Sequence, residues 1–195
     1  MEIIKLSQKA LNKAAGALKS GTIVIFPTDT VYGFLADAAN KKAVEKIYKI
    51  KKRPRQKPLP VFVKDLKMAK ELAETSKEQE KIIKKHWPGK YTFILNYRHN
   101  KNQNPIRFFA TWQKTVALRM PDYKPLNSLL RKINRPLAQT SVNISGQPEL
   151  NKTEDIIKKF GTSDVPMLFI DAGDLPKRKP SKIIDITGEA LIKLR

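Results

Sequence analysis

The sequence predicts an α/β domain of mixed (α+β) type, one twisted mixed β-sheet flanked by helices. Three observations carry this. Several segments place apolar residues at helical spacing, and short β-branched apolar runs lie between them. The two kinds of segment do not alternate strictly, which points to a mixed sheet. The 195 residues contain no internal repeat and no Gly/Ser linker, so a single domain over residues 1–195, with no second domain, is expected.

Taken in order, residues 3–6 form a short strand, and Ser7 caps a helix with Ala10, Leu11, Ala14, Ala15 and Leu18 on one face, ended by Gly21. Residues 22–26, Thr-Ile-Val-Ile-Phe, have the continuous apolar character of a buried strand, stopped by Pro27. Asn40 opens a helix carrying Ala43, Val44, Ile47 and Tyr48. Pro54 and Pro58 bracket a loop before a strand at 59–63. Asp65 and Ser76 are N-caps of two helices, the second broken by Trp87-Pro88-Gly89. Residues 91–95 and 115–119 read as strands, 124–133 as a helix and 136–140 as a strand running into a polar loop. Thr153 caps a helix reaching Phe160, and strands follow near 166–170 and 182–186.

Composition narrows the function. A hydrophobic content of 41% supports a core and excludes global disorder. No apolar run approaches the roughly 20 residues that span a bilayer, and the N-terminus lacks the apolar region of a secretory signal. No membrane role is expected, and a cytoplasmic location fits. The absence of cysteine excludes disulfides, thiol nucleophiles, thiolate zinc sites and iron–sulfur clusters. Lys plus Arg number 39 against 18 Asp plus Glu, a net charge of +21. That surplus suits polyanions; lysine-rich solvated faces account for it equally well.

Three polar segments concentrate chemistry. Pro27-Thr28-Asp29-Thr30-Val31-Tyr32-Gly33 follows a buried strand, where open sheets bind ligands; a hydrogen-bonded turn is the alternative. Lys51-Lys52-Arg53-Pro54-Arg55-Gln56-Lys57-Pro58 puts a rigid cluster of cations beside a helix end. The helix macrodipole explains Lys51 and Lys52 but not the proline-framed remainder. Ser141, Asn143 and Ser145 alternate after an apolar strand, so an extended backbone would turn them to one side. His86 and His99 have no metal-ligand spacing, and no P-loop, dinucleotide fingerprint or serine-nucleophile elbow occurs. Such parts suit charge neutralisation and positioning of a phosphorylated substrate.

The succession PTDTVYGF, KKRPRQKPL, WPGKYTFIL, TVALRMPD and TSVNISGQP resembles the YrdC-like threonylcarbamoyl-AMP synthases, in family order from residue 22 to about 150. The resemblance implies a concave basic pocket and formation of threonylcarbamoyl-AMP and pyrophosphate from L-threonine, bicarbonate and ATP, for N6-threonylcarbamoyladenosine in tRNA. It implies Mg2+ with the ATP, and as partners tRNA or double-stranded RNA and other threonylcarbamoyl-transfer proteins. An RNA-binding module without catalysis is the alternative reading. By the same resemblance, Lys51, Arg53, Ser141 and Asn143 are the catalytic set. Lys51, Arg53, Lys57, Thr115, Asn143, Asn151 and Arg195 hold ATP. Thr30, Arg119, Ser141 and Ser181 hold threonine, Arg119 through its carboxylate. No metal ligand is implied in the protein. The chain departs from the family at Phe62, where histidine is common, and at Lys182, where a small residue follows the serine. The resemblance is to the short form, in which the C-terminus or a partner, and not a linker domain, would close the site.

Overall fold

The computed structural model describes residues 1–99, 104–106, 114–188 and 191–194. Among these residues ten strands form one mixed sheet. In chain order they are β1 (Glu2–Lys5), β2 (Ile23–Phe26), β3 (Gly33–Asp37), β4 (Val61–Phe62), β5 (Tyr91–Asn96), β6 (Thr115–Arg119), β7 (Leu137–Ser141), β8 (Met167–Asp171), β9 (Lys182–Asp185) and β10 (Ile192–Lys193). In space the order is β1-β8-β2-β3-β7-β4-β6-β5-β9-β10. The helices are α1 (Gln8–Lys19), α2 (Lys41–Lys51), α3 (Leu66–Leu72), α4 (Lys77–His86), α5 (Lys124–Ile133) and α6 (Thr153–Phe160). Among the described residues no helix is long and apolar enough to cross a membrane.

Helix starts follow local side-chain chemistry. Ser7, Asn40, Asp65 and Ser76 each accept a bond from a backbone N–H in the first turn of α1, α2, α3 and α4. Ser76 and Gln79 complete a reciprocal capping box. Thr153 does not cap α6 as expected. The cap position is Lys152, and the Thr153 hydroxyl donates to Asp171 Oδ1 at 2.8 Å. Asp174 Oδ1 accepts from Thr153 N at 3.0 Å, so a carboxylate from outside the helix meets the first N–H of α6.

Two strands escape the sequence reading. β3 is buried along its whole length between β2 and β7, but its polar end hides it: Asp37 is matched by Arg135, at 2.6 Å. β10 is a two-residue exposed strand at the sheet edge. The strand expected over 59–63 contracts to β4, which pairs antiparallel with β7 and parallel with β6.

Alternation of side chains divides the core between the two faces. Ile23, Ile25, Phe34, Val61, Phe93, Leu118 and Phe169 share one face with α2, α3, α4 and α6. Val24, Phe26, Leu35, Phe62, Leu137 and Leu168 share the other with α1 and α5. That second cover stops at β4. Beyond it, the same face carries Ala117, Arg119, Ile94 and Ile183, which line a cavity instead of packing under a helix.

Three helices end on a left-handed residue. After α1 it is Gly21 and after α5 it is Asn134, both residue types suited to it. After α2 it is Lys52, at φ 49°. Its N–H bonds Lys49 O at 3.2 Å and that of Arg53 bonds Tyr48 O at 3.0 Å, closing a Schellman motif. The turn separates the directions of Lys51 and Arg53. Lys52→Gly therefore raises the unfolding free energy by about 0.5–1 kcal/mol, the relief of a side chain in the left-handed region less the added freedom of the unfolded chain; urea denaturation measures it.

Candidate functional site

A cavity of about 500 Å³ occupies the uncovered part of the sheet face. Its volume lies within the usual range for small-ligand sites. Three loops and four strands build it.

The first loop leaves β2. Thr28 Oγ1 accepts from the N–H groups of Thr30 (3.1 Å) and Val31 (3.2 Å) and pairs with Thr30 Oγ1 at 3.0 Å. This local network places Thr30 on the cavity wall. Asp29 turns the other way, into the protein, where both its oxygens accept from Arg119 Nη2, at 2.7 and 2.6 Å. Both side chains are nearly inaccessible to solvent. Arg119 Nε donates to Gly89 O at 3.0 Å, and its guanidinium lies 5.6 Å from the centre of the Phe62 ring. Phe62 thus sets an apolar ring against the arginine. Arg178 donates to Asp29 O at 3.0 Å and ties in the segment leading to β9.

The second loop follows α2. Arg53 closes it on itself, Nε donating to Lys57 O and Nη2 to Pro58 O, both at 2.9 Å. Arg53, Gln56 and Lys57 all line the cavity. Lys51, the last residue of α2, points inward and is 2% exposed. Its Nζ donates to Ser141 O (2.7 Å), Asn143 O (3.1 Å) and Asn143 Oδ1 (2.5 Å). Burial pushes its pKa down to about 8; repulsion from Arg53 adds to this and attraction by Glu149 partly offsets it.

The third loop leaves β7. It bends and does not stay extended, yet Ser141, Asn143 and Ser145 all reach the cavity. Asn143 Oδ1 accepts from Ser141 Oγ at 2.9 Å, Asn143 Nδ2 donates to Gln147 O, and Ser145 N donates to Lys51 O at 2.8 Å. Across the cavity, Ser181 lies at the start of β9 and shares a 3.0 Å hydroxyl–hydroxyl bond with buried Thr92.

Eight of the residues singled out in the sequence therefore meet in one cavity: Thr30, Lys51, Arg53, Lys57, Arg119, Ser141, Asn143 and Ser181. Thr115 does not line it, although it lies on the same face of β6 as Ala117 and Arg119. Asn151 is also off the wall; its carbonyl accepts from Leu175 N, and its Oδ1 is buried with no hydrogen-bond partner among the described residues. Arg195 lies outside the described residues, while Leu194 lines the cavity. Sequence reasoning missed Gln139 and Glu149 on the wall. Gln139 was within reach of it, being two residues before Ser141 on β7. Among the described residues no group of three or more His, Asp or Glu could hold a metal ion, and Glu149 is the one carboxylate in the lining.

The family model Sua5/YciO/YrdC, described as "Telomere recombination", matches residues 16–195. A Bacillus subtilis protein named threonylcarbamoyl-AMP synthase is 37% identical over 74% of this chain and 41% of its own length. A Vibrio vulnificus protein of the same name is 30% identical over 94% of this chain and 97% of its own. The crystal structure of Pyrococcus abyssi Sua5 complexed with L-threonine superposes with a TM-score of 0.86 at 31% identity, covering all of this chain and 56% of that one. The chain thus spans about half the length of the Bacillus and Pyrococcus relatives and nearly all of the Vibrio one.

The buried pair makes a stability prediction. Asp29→Ala removes the carboxylate that accepts two bonds from buried Arg119, and lowers the unfolding free energy by about 3–5 kcal/mol. Arg53→Ala, in a surface loop, costs about 1 kcal/mol or less. Urea titrations of the two variants compare them directly.

Proposed function

The chain belongs to the Sua5/YciO/YrdC family, and from that premise we propose that it is a threonylcarbamoyl-AMP synthase. The observation that carries the reading is the convergence of Thr30, Arg119, Ser141 and Ser181 with Arg53, Lys57 and Asn143 on one cavity. The first group suits a small hydroxy amino acid. The second suits a triphosphate, since guanidinium and ammonium groups neutralise its charge where the reaction concentrates it.

In the proposed reaction the threonine nitrogen adds to carbon dioxide drawn from bicarbonate, giving a carbamate and a proton. A carbamate oxygen attacks the α-phosphorus of ATP, the bond to the β-phosphate oxygen breaks, and pyrophosphate leaves. No side chain becomes covalently attached. The protein's part is to orient the carbamate in line with the α-phosphorus and to offset negative charge. Mg2+ belongs to the proposal as an ion arriving with ATP, a role that suits a lining with one carboxylate. Phosphate oxygens and Glu149 would hold it, and it would supply further neutralisation of the triphosphate.

The net charge of +21 supports a second contact, with tRNA or double-stranded RNA, beside the catalytic reading. Proteins that transfer the threonylcarbamoyl group to tRNA are the proposed recipients of the product.

The test is pyrophosphate release in the presence of ATP, Mg2+, bicarbonate and threonine, with mass detection of the adenylate. Release requires threonine, and wild-type protein giving no adenylate overturns the reading. Arg53→Ala raises the ATP requirement about tenfold or more, as loss of a charged hydrogen bond does, while Ser181→Ala raises that for threonine. Equal effects of each on both substrates remove these assignments. RNA binding, if present, weakens steeply between low and moderate salt.

A further inference from the structure

We infer that Lys51 is a positioning residue, whose ammonium group fixes Asn143 and Ser141 for the substrates and does not itself touch phosphate. This rests on the proposed activity for its consequence, but the geometry stands apart from it. An ammonium group has three N–H donors and no more. At Lys51 all three are matched by Ser141 O, Asn143 O and Asn143 Oδ1. The side chain is 2% exposed, at the back of the cavity wall. Moving a donor to a phosphate would strip a buried protein oxygen of its partner. Arg53 and Lys57 carry the cationic role more readily, since both are more exposed on the same wall.

The consequences pass through Asn143. Only an acceptor can face the Lys51 ammonium, so Asn143 Oδ1 points there and the amide nitrogen points at Gln147 O. The same Oδ1 receives the Ser141 hydroxyl, which sets that rotor too. Ser145 N bonded to Lys51 O fastens the backbone of the turn to the end of α2. One buried cation thus orients a residue assigned to the nucleotide and another assigned to threonine. Arg53 from the following loop and Glu149 from the segment after β7 are the charged groups that bear on it. When the ammonium loses a proton it keeps two donors and turns a lone pair toward three oxygens, so one bond of the set is lost.

Binary binding separates positioning from contact. Calorimetry of the full chain gives the affinity for threonine without nucleotide and for ATP without threonine. Lys51→Met weakens both about tenfold or more, whereas Arg53→Ala weakens ATP alone. Wild-type threonine affinity in a folded Lys51→Met protein with ATP binding lost marks Lys51 as a direct phosphate contact and overturns the inference. Should that variant not fold, the wild-type protein decides. In ¹⁵N NMR without ligands, the side-chain amide of Asn143 shifts with a midpoint near pH 8, the pKa of about 8 to which burial brings Lys51. An Asn143 amide that does not respond as Lys51 itself titrates also overturns it. A wild-type protein that makes no adenylate but shows this titration refutes the proposed activity and leaves the Lys51 geometry standing.

Discussion

The architecture of the cavity depends on matching a buried charge. Arg119 lies in the floor of a sheet, nearly out of reach of water, and a guanidinium there is tolerated only if its charge is countered and its donors are used. Asp29 supplies the charge, Gly89 an acceptor and Phe62 an aromatic face. In meeting that demand the chain brings the loop after β2, the turn before β5 and the strand β6 to one point. Arg178, bonded to the carbonyl of Asp29, adds the segment leading to β9. The pair is expensive to desolvate, and apolar residues would fill the same space at less cost. Its presence is understandable as the means of holding a cation in the floor of the cavity.

A second buried cation organises the opposite wall by the same rule. Lys51 and Arg119 are both nearly inaccessible, and both spend donors on the protein itself. The cations nearer the solvent, Arg53 and Lys57, sit on a loop that Arg53 locks by bonding its carbonyls. The wall therefore has two tiers of cations: inner ones bonded within the protein and outer ones nearer the solvent. Burial of Lys51 as an ammonium also has a thermodynamic sign. Its pKa is lower folded than unfolded, so its contribution to stability is full above the unfolded value and is lost as pH falls through about 8. The charged form costs stability at neutral pH, an expense the geometry of the Ser141–Asn143 turn explains.

What could be read in the sequence was local. The caps at Ser7, Asn40, Asp65 and Ser76 depend on a side chain and a backbone three residues away, and each was legible. The polar loops were legible as concentrations of donors and cations at strand and helix ends. The partnership of Asp29 with Arg119 was not, because 90 residues separate them and nothing local specifies the pairing. The inward course of Lys51 was hidden for another reason: it continues the buried stripe of Val44 and Ile47 on α2, but a lysine at the helix end reads as a solvated cation favoured by the macrodipole. β3 was missed because its strand character comes from neighbours on both sides, and the carboxylate that closes it is matched by distant Arg135. The roles of individual residues came from resemblance to a family, and the geometry adds how each is held.

The two-residue strand β4 has an architectural consequence. Among the described residues it is the strand that joins the half-sheet capped by α1 and α5 to the half that floors the cavity. Its ladders to β6 and β7 are two residues long, against four and five residues for the β5–β6 and β3–β7 ladders that flank them. One further backbone bond extends each ladder, Gln139 N to Pro60 O and Val63 N to Arg119 O, both at 2.9 Å, so the pairing is short on both sides of β4. Ser141 and Asn143 stand on one side of it, Arg119 and Ser181 on the other. The two sides of the cavity therefore stand on different halves of the sheet, with β4 between them.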